Sequence, residues 1–532
     1  MGSIETRTLI KSKKTILSGL IDKKPYVTCA LVNGYLTELT QSVSLKDNIE
    51  FLYADENEEA ARVFLRGLLL LAGRAASEIG SSLLVEYVLP TGVYCRLLNM
   101  ENSKENIDKA KSLIRKYISD DTKIEKMSFT TDEAIEFFEK LKKEDKVRLL
   151  KYRTARNITI YKSGDYVGYY YGIMVDKTSR LKDFEMENYG NGFILSGPTP
   201  YKNAGLPLIQ PKLAEAFRIS QQCADVLSAS TVADLNYKIE SGDFKEFVQI
   251  NEALFERSLV KVSEEIMKRE KVKMVLISGP SSSGKTTSAY RLKIELNACG
   301  KKCVMLSLDD FYIERASRVP DENGKIDFEC LEALDLELIN TQLKLLLAGE
   351  EIVLPNYDFT SGCRTFKNKV CLKKGDILII EGIHGLNKKL TEDISDDLKY
   401  KIFLSPLFPV NLDKENPIFP EDIRLLRRMV RDKLFRGRDF LTTLEKWDEV
   451  REGEYKHILP YIENADRIIN TTLLYEAAIL KEYVYDELSM LKHLDIRAGY
   501  LRKFLNYFKT EDMEDIIPRN SIIREFIGRG VI

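Results

Sequence analysis

The stretch Ile277–Thr287, ISGPSSSGKTT, constrains this chain more than any other. Gly279 and Gly284 frame a short serine-rich turn, and Lys285-Thr286 follow at once. KMVLI, Lys273–Ile277, precedes it as an apolar run suited to a buried parallel strand. SAYRLKIELNACG follows with helical apolar spacing and Gly300 just past its end. Strand, glycine loop and helix in that order form a phosphate cradle. Glycines let backbone N–H groups close around anionic oxygens, and the helix N-terminus adds favourable dipole charge. The expected triphosphate contacts are Gly279, Ser281, Ser282, Ser283, Gly284, Lys285, Thr286 and Thr287. Lys285 would neutralise the β/γ-phosphates and Thr286 would ligate Mg²⁺. A plain Ser/Gly turn before a helix accounts for neither Lys285-Thr286 nor their placement.

Downstream, KCVMLSLDDFY (302–312) reads as a strand ending in Asp309-Asp310. Ligands of doubly wound sheets sit beyond the carboxyl ends of strands, where a carboxylate can take the proton of an attacking hydroxyl. Asp309 is the expected base; Asp310 reads more readily as a helix cap. GDILIIEGIHGL (375–386) is a third strand, ending in Glu381, which would support Mg²⁺. His384 reads as structural. DIRLLRRMVRDKLFRGR (422–438) places Arg424, Arg427, Arg428 and Arg431 at helical spacing, with Arg436 and Arg438 flanking a break at Gly437. That concentration of guanidinium groups reads as a phosphate-clamping lid, with Arg431 and Arg436 toward the triphosphate.

At 532 residues the chain is too long for one core. It is 30% charged with a net charge of −2, so nothing draws it globally to nucleic acid or membrane. The apolar run LLLLAG, 68–73, is too short to span a bilayer. Eight scattered cysteines without a CxxC pair read as reduced thiols in a cytoplasmic protein. The three histidines, His384, His457 and His493, leave the first 383 residues without an imidazole.

Residues 1–52 alternate short apolar runs and turns, with Asn33-Gly34 a hairpin signal. A strongly apolar helix is expected over 56–79, then strands around Pro90-Thr91-Gly92. Two charged amphipathic helices should fill 103–151, the second opened by Thr131. The tyrosine-rich YKSGDYVGYYYGIMV (161–175) reads as an aromatic hairpin packed on a core; a base-stacking surface for RNA is the sharper alternative. Residues 221–270 form a helical linker with a break at Ser241-Gly242, 271–485 alternate strands and helices, and the tail 486–532 is helical without visible chemistry.

With GPSSSGKTT, LSLDDFY, NYDFTSGCRT, IIEGIHGL, RLLRRMVRDKLFRGRD and WDEVREGEYKHILPYIENADRIIN in order, residues 272–475 resemble the uridine kinase and phosphoribulokinase family. The resemblance implies a P-loop parallel-sheet kinase using ATP and Mg²⁺, with Asp309 as base. It implies an acceptor pocket lined by Tyr312, Glu329, Tyr357, Phe359, Arg364, Arg424 and Arg438. Two positions depart from the uridine-cytidine kinase pattern. Gly362 stands where a base-reading histidine is usual, and Glu329-Cys330-Leu331-Glu332-Ala333 replaces an Asp-His-Pro-Asp-Ala-like run. The first half resembles the N-terminal part of threonyl-tRNA synthetases: a TGS β-grasp module (1–52), then an editing-type α+β domain (53–220). The editing histidines and cysteine of that family fall here on Leu65, Leu69, Tyr170 and Met174, so hydrolytic editing is not expected.

The expected fold is therefore α/β: a P-loop kinase sheet preceded by a β-grasp module and an α+β domain. The expected activity is transfer of the ATP γ-phosphate to the 5′-OH of a ribonucleoside. The alternatives are a kinase for another sugar, polyol or phosphorylated sugar, and an ATP-switched RNA-binding regulator. RNA contact through the N-terminal half and a homo-oligomer stay open.

Overall fold

The computed structural model describes residues 15–20, 26–314, 327, 329–358, 361–510 and 514–531. Its centre is a five-stranded, wholly parallel sheet in the order Cys303–Ser307, Ile377–Glu381, Met274–Ser278, Lys399–Ser405, Arg467–Asn470. Alternation along a strand sends successive side chains to opposite faces. Accordingly Val275 and Ile277 join one buried cluster, while Met274 and Leu276 join another on the far side. The central strand is buried at every position, as a sheet covered on both faces requires. An antiparallel hairpin, Ile352–Asp358 with Cys363–Val370, stands apart from this sheet.

In the first half, Val27–Val32, Tyr35–Thr37 and Ile49–Tyr53 form a three-stranded sheet. Val32 pairs with Tyr35, so Asn33-Gly34 is the two-residue turn the sequence signals, both residues having positive φ. The helix Glu58–Glu78 starts where Asn57 accepts from the Ala60 N–H. It is buried on nearly every side, Leu68–Leu71 included, and is the axis of its own core. Strands Ser82–Leu89 and Gly92–Leu98 flank the turn at Pro90-Thr91 as expected.

Between 103 and 151 the expectation needs correction. Strand Glu125–Thr130 intervenes, and three helices are present: Lys104–Ser119, Thr131–Lys140 and Glu144–Leu150. The helix cap is Thr130, not Thr131: Thr130 and Glu133 make a reciprocal capping box.

The tyrosine segment does form a hairpin, Asn157–Ser163 with Tyr166–Gly168, but it offers no stacking surface. Tyr169, Tyr170 and Tyr171 are buried, and their hydroxyls meet the Tyr507 hydroxyl, the Leu69 carbonyl and the Tyr500 carbonyl. A phenol so deep keeps its proton and finds an internal partner, which removes these rings from any base.

The first half and the parallel sheet are packed together. One core cluster runs from Ala134 and Phe138 through Val275 and Ile277 to Phe504 and Ile522. Across the junction, Lys146 sits between Asp413, at 2.7 Å, and Glu415, at 3.0 Å, all three buried. Among the described residues no helix is long and apolar enough to cross a membrane.

Candidate functional site

The loop after Met274–Ser278 is held from every side. A Cβ on Gly279 would lie 2.2 Å from the Leu404 carbonyl oxygen, so only glycine lets the neighbouring strand approach. We expect Gly279→Ala to cost about 1–3 kcal/mol of stability in denaturant unfolding, because backbone cannot yield as a side chain can. Ser282 adopts positive φ, and Gly284 turns left-handed to start the helix Lys285–Ala298. Lys285 folds back to donate to the Pro280 carbonyl at 3.0 Å. The Ser282 and Ser283 hydroxyls are buried without a hydrogen-bond partner among the described residues. Buried hydroxyls rarely stay unpaired, so a loop with two of them suits an oxygen-rich anion.

The strand-end carboxylates converge on this loop. Glu381 is buried and accepts from the Ser307 hydroxyl at 2.7 Å. Burial, then the nearby Asp309 charge, pushes its carboxyl up to about 7. Burial lowers the Lys285 ammonium, while Glu381 and Asp309 oppose that shift. Glu381 stands beside Ile277 and Ser307 in the strand register, so the segments that leave those two strands carry Lys285 and Asp309 away from the same end of the sheet. Asp310 is diverted: its Oδ1 accepts from Asn356 Nδ2 at 3.2 Å and the Tyr357 N–H at 3.3 Å. That tie pins the strand-end turn to the hairpin.

On the acceptor side, the Tyr312 and Tyr357 rings lie 5.7 Å apart. Arg364 pairs with Tyr357 across the hairpin and donates to Asp335 at 2.9 Å. Glu329 packs against Gly453, where a Cβ would fall 2.4 Å from its own. Burial raises the Glu329 carboxyl, with Arg428, Asp309 and Lys285 close enough to act on it. Phe359 lies outside the described residues.

The arginine helix, Pro420–Arg436, ends at left-handed Gly437 as expected, but most of it is no lid. Arg424, Arg427 and Arg428 are buried. Arg424 pairs with Glu454 at 2.5 Å and donates to the Ser281 carbonyl at 3.2 Å. Arg427 pairs with Glu476 at 2.6 Å and Arg428 donates to the Ser281 hydroxyl at 2.7 Å. Guanidinium groups this deep need such partners, and here they brace the loop from behind. Only the helix end remains for a ligand. Buried Asp432 gathers Arg428, Arg431 and Arg436 within 3.5 Å, and the Asp432 carbonyl receives the Arg438 N–H. Burial and then Arg431 lower the Arg436 guanidinium, with Asp309 acting against that.

Two features escaped the sequence reading. The brace continues from Glu454 to Arg451, at 2.9 Å, and on to Glu421 and Glu58, joining the loop to the first half of the chain. The tail also returns: Glu525 accepts from the Thr287 N–H and hydroxyl. No local pattern signals the link from Arg451 to Glu58 or the Glu525 contact, since those partners are hundreds of residues apart.

Among the described residues no group of three His, Cys, Asp or Glu is gathered to hold a metal ion. The buried Glu381 carboxylate at the strand end is a hard oxygen donor of the kind Mg²⁺ takes.

Residues 274–474 match the model of the Phosphoribulokinase / Uridine kinase family. The uridine kinase of Lactobacillus helveticus is 32% identical over 180 residues, 34% of this chain and 77% of that protein. The uridine kinase of Ligilactobacillus salivarius is 31% identical over 194 residues, 36% of this chain and 82% of that protein. A D-glycerate 3-kinase structure from Cryptococcus neoformans covers 39% of this chain and 89% of that one, at 15% identity and a TM-score of 0.27. Relatives this similar over most of their length, together with a family model matched over the span that holds the glycine loop and both strand-end carboxylates, make this chain a member of the phosphoribulokinase and uridine kinase family.

Proposed function

We propose that the protein is an ATP-dependent kinase acting on the 5′-OH of a ribonucleoside of the uridine or cytidine kind. The observation that carries this reading is the register of three neighbouring parallel strands, which sets Glu381 beside Ile277 and Ser307 at the sheet's carboxyl end, with Lys285 and Asp309 in the segments that follow, inside the family span. Loop N–H groups, Lys285, Arg431 and Arg436 would hold the triphosphate. Asp309 accepts the acceptor O–H proton as the new O–P bond forms. The bond from the γ-phosphorus to the β,γ-bridging oxygen breaks, and ADP leaves. Thr286 and Glu381 are the residues that would hold Mg²⁺, which would supply charge neutralisation to the triphosphate. Tyr312, Glu329, Tyr357, Arg364 and Arg438 would form the acceptor side, with Glu329 toward the ribose diol; Phe359, named with them from the sequence, lies outside the described residues. Arg424 acts through the loop it braces. Positioning and electrostatics do the work, since no covalent enzyme intermediate is needed.

The domain assignment belongs to the same proposal: TGS-like module 1–52, editing-type domain 53–220, helical linker 221–270, kinase 271–485 and tail 486–532. One contact supports the second of these. The Tyr170 hydroxyl donates to the Leu69 carbonyl, and Leu65, Leu69, Tyr170 and Met174 share one apolar cluster. Two of the positions where editing ligands would stand, Leu69 and Tyr170, thus touch, and none of the four is a histidine or cysteine that could ligate zinc.

Lys285→Ala should lower kcat/KM for ATP about 100-fold or more, the scale of removing one preorganised charge donor. Steady-state kinetics at saturating acceptor measures this, and an unchanged value contradicts the site. The loss of the usual histidine at Gly362 keeps a sugar or polyol acceptor in view. Acceptor-stimulated ADP release with nucleosides, sugars and cyclitols side by side separates the two readings.

A further inference from the structure

The helix Lys285–Ala298 begins at Gly284, which has no side chain to cap it. Its first N–H groups therefore need an acceptor from elsewhere. For Thr287 that acceptor is Glu525, 238 residues away in sequence: one carboxylate oxygen takes the Thr287 N–H at 3.2 Å and its hydroxyl at 2.8 Å. A carboxylate oxygen on a helix N-terminal N–H is the same chemistry as a phosphate oxygen there.

The placement is built rather than incidental. Ile522 is buried against the loop, and a Cβ on Gly284 would lie 2.4 Å from its Cδ1. The Phe526 ring lies 5.0 Å from the guanidinium of Arg427, which itself donates to the Ser282 carbonyl. Arg524 ties the segment down by donating to the carbonyls of Glu514, at 2.7 Å, and Ile517, at 2.9 Å. Ser521 meets the Tyr475 hydroxyl at 3.3 Å. The backbone is thus anchored by buried groups, while the Glu525 side chain points at the cradle. Lys285 opens the same helix two residues before Thr287.

We propose that Glu525 is an internal competitor of the nucleotide: its carboxylate holds the Thr287 donors that a phosphate oxygen of the triphosphate requires, and it must swing away for ATP to seat. This rests on the nucleotide-site reading above. Competition for one donor pair lowers the apparent affinity by the fraction of time the carboxylate holds it. Because the anchor residues stay packed, only a side chain moves, and the device tunes ATP affinity without unfolding the tail.

The test uses the full chain with Mg²⁺-ATP, measured by calorimetry and steady-state kinetics on wild type, Glu525→Gln, Glu525→Ala and Lys285→Ala. Glu525→Gln keeps the shape and loses the charge, which guards against a fold defect; melting temperatures report any such defect. The proposal expects both Glu525 variants to bind ATP about fivefold tighter or better, with ATP KM lowered and acceptor KM unchanged. If Lys285→Ala weakens ATP binding while both Glu525 variants bind as wild type does, the competitor is overturned and the nucleotide site stands. If the Glu525 variants bind ATP more weakly, Glu525 assists the bound nucleotide and the proposal is equally overturned. If no variant alters ATP binding, the nucleotide-site reading falls with it.

Discussion

Asp309→Asn is expected to bind ATP as wild type does and to turn over about 10²–10⁴-fold more slowly, the usual worth of a general base. The substitution is isosteric and removes only the ability to take a proton. The structure separates Asp309 from its neighbour: Asp310 is spent on Asn356 and the Tyr357 N–H, so Asp310→Asn should leave chemistry largely intact and loosen the hairpin. Pre-steady-state quench measurements read the chemical step directly. Equal rates for Asp309→Asn and wild type would remove Asp309 from the mechanism, and a larger loss in Asp310→Asn would exchange the two roles.

The largest expected effect on stability lies elsewhere. Lys146→Met should cost about 3–5 kcal/mol, because it strands Asp413 and Glu415 in the interior without their cation. The Lys146 ammonium is 1% exposed and Asp413 fully buried. Burial alone would raise the Glu415 carboxyl, yet the charges of Lys146 and Lys143 hold it down to about 2. A carboxyl lowered on folding stabilises the fold above its unfolded pKa, and that contribution disappears as pH falls from about 5 toward 2. Lys146→Met should therefore weaken the acid dependence of Glu415 as well as the fold. Urea unfolding of the full chain at neutral and acid pH tests both; a cost below about 1 kcal/mol would mean the junction relaxes around the missing charge.

These two sites differ in how far the sequence exposes them. The loop, its flanking strand and helix, and the strand-end carboxylates are local patterns, and the strand register sets Glu381 beside Ile277 and Ser307 at one end of the sheet. Helical spacing likewise placed Arg424, Arg427, Arg428 and Arg431 on one element. Spacing says which residues share a face and nothing of what lies against it. The partners Glu454 and Glu476 sit tens of residues away, and they turn an apparent lid into a buried brace. The same limit hid Lys146, read as a solvated charge among lysines and glutamates, and Glu525, in a tail without visible chemistry. It also hid the fate of Tyr169, Tyr170 and Tyr171, whose hydroxyl partners come from distant segments. Strand Glu125–Thr130 was missed for a different reason: none of its residues is fully buried, so it lacks the apolar alternation by which strands are recognised.

Phosphoryl transfer to a small hydroxyl acceptor, with Lys285, Asp309 and Glu381 as the proposed groups, is measured by incubating the full chain with Mg²⁺-ATP and uridine or cytidine and following ADP release and the phosphorylated product by ³¹P NMR. Acceptor-dependent ADP formation is expected, with a nucleoside 5′-monophosphate appearing in equal amount, both lost in Asp309→Asn. ATP turnover indifferent to every nucleoside, sugar and polyol offered, or product formation undiminished in Asp309→Asn, would contradict it.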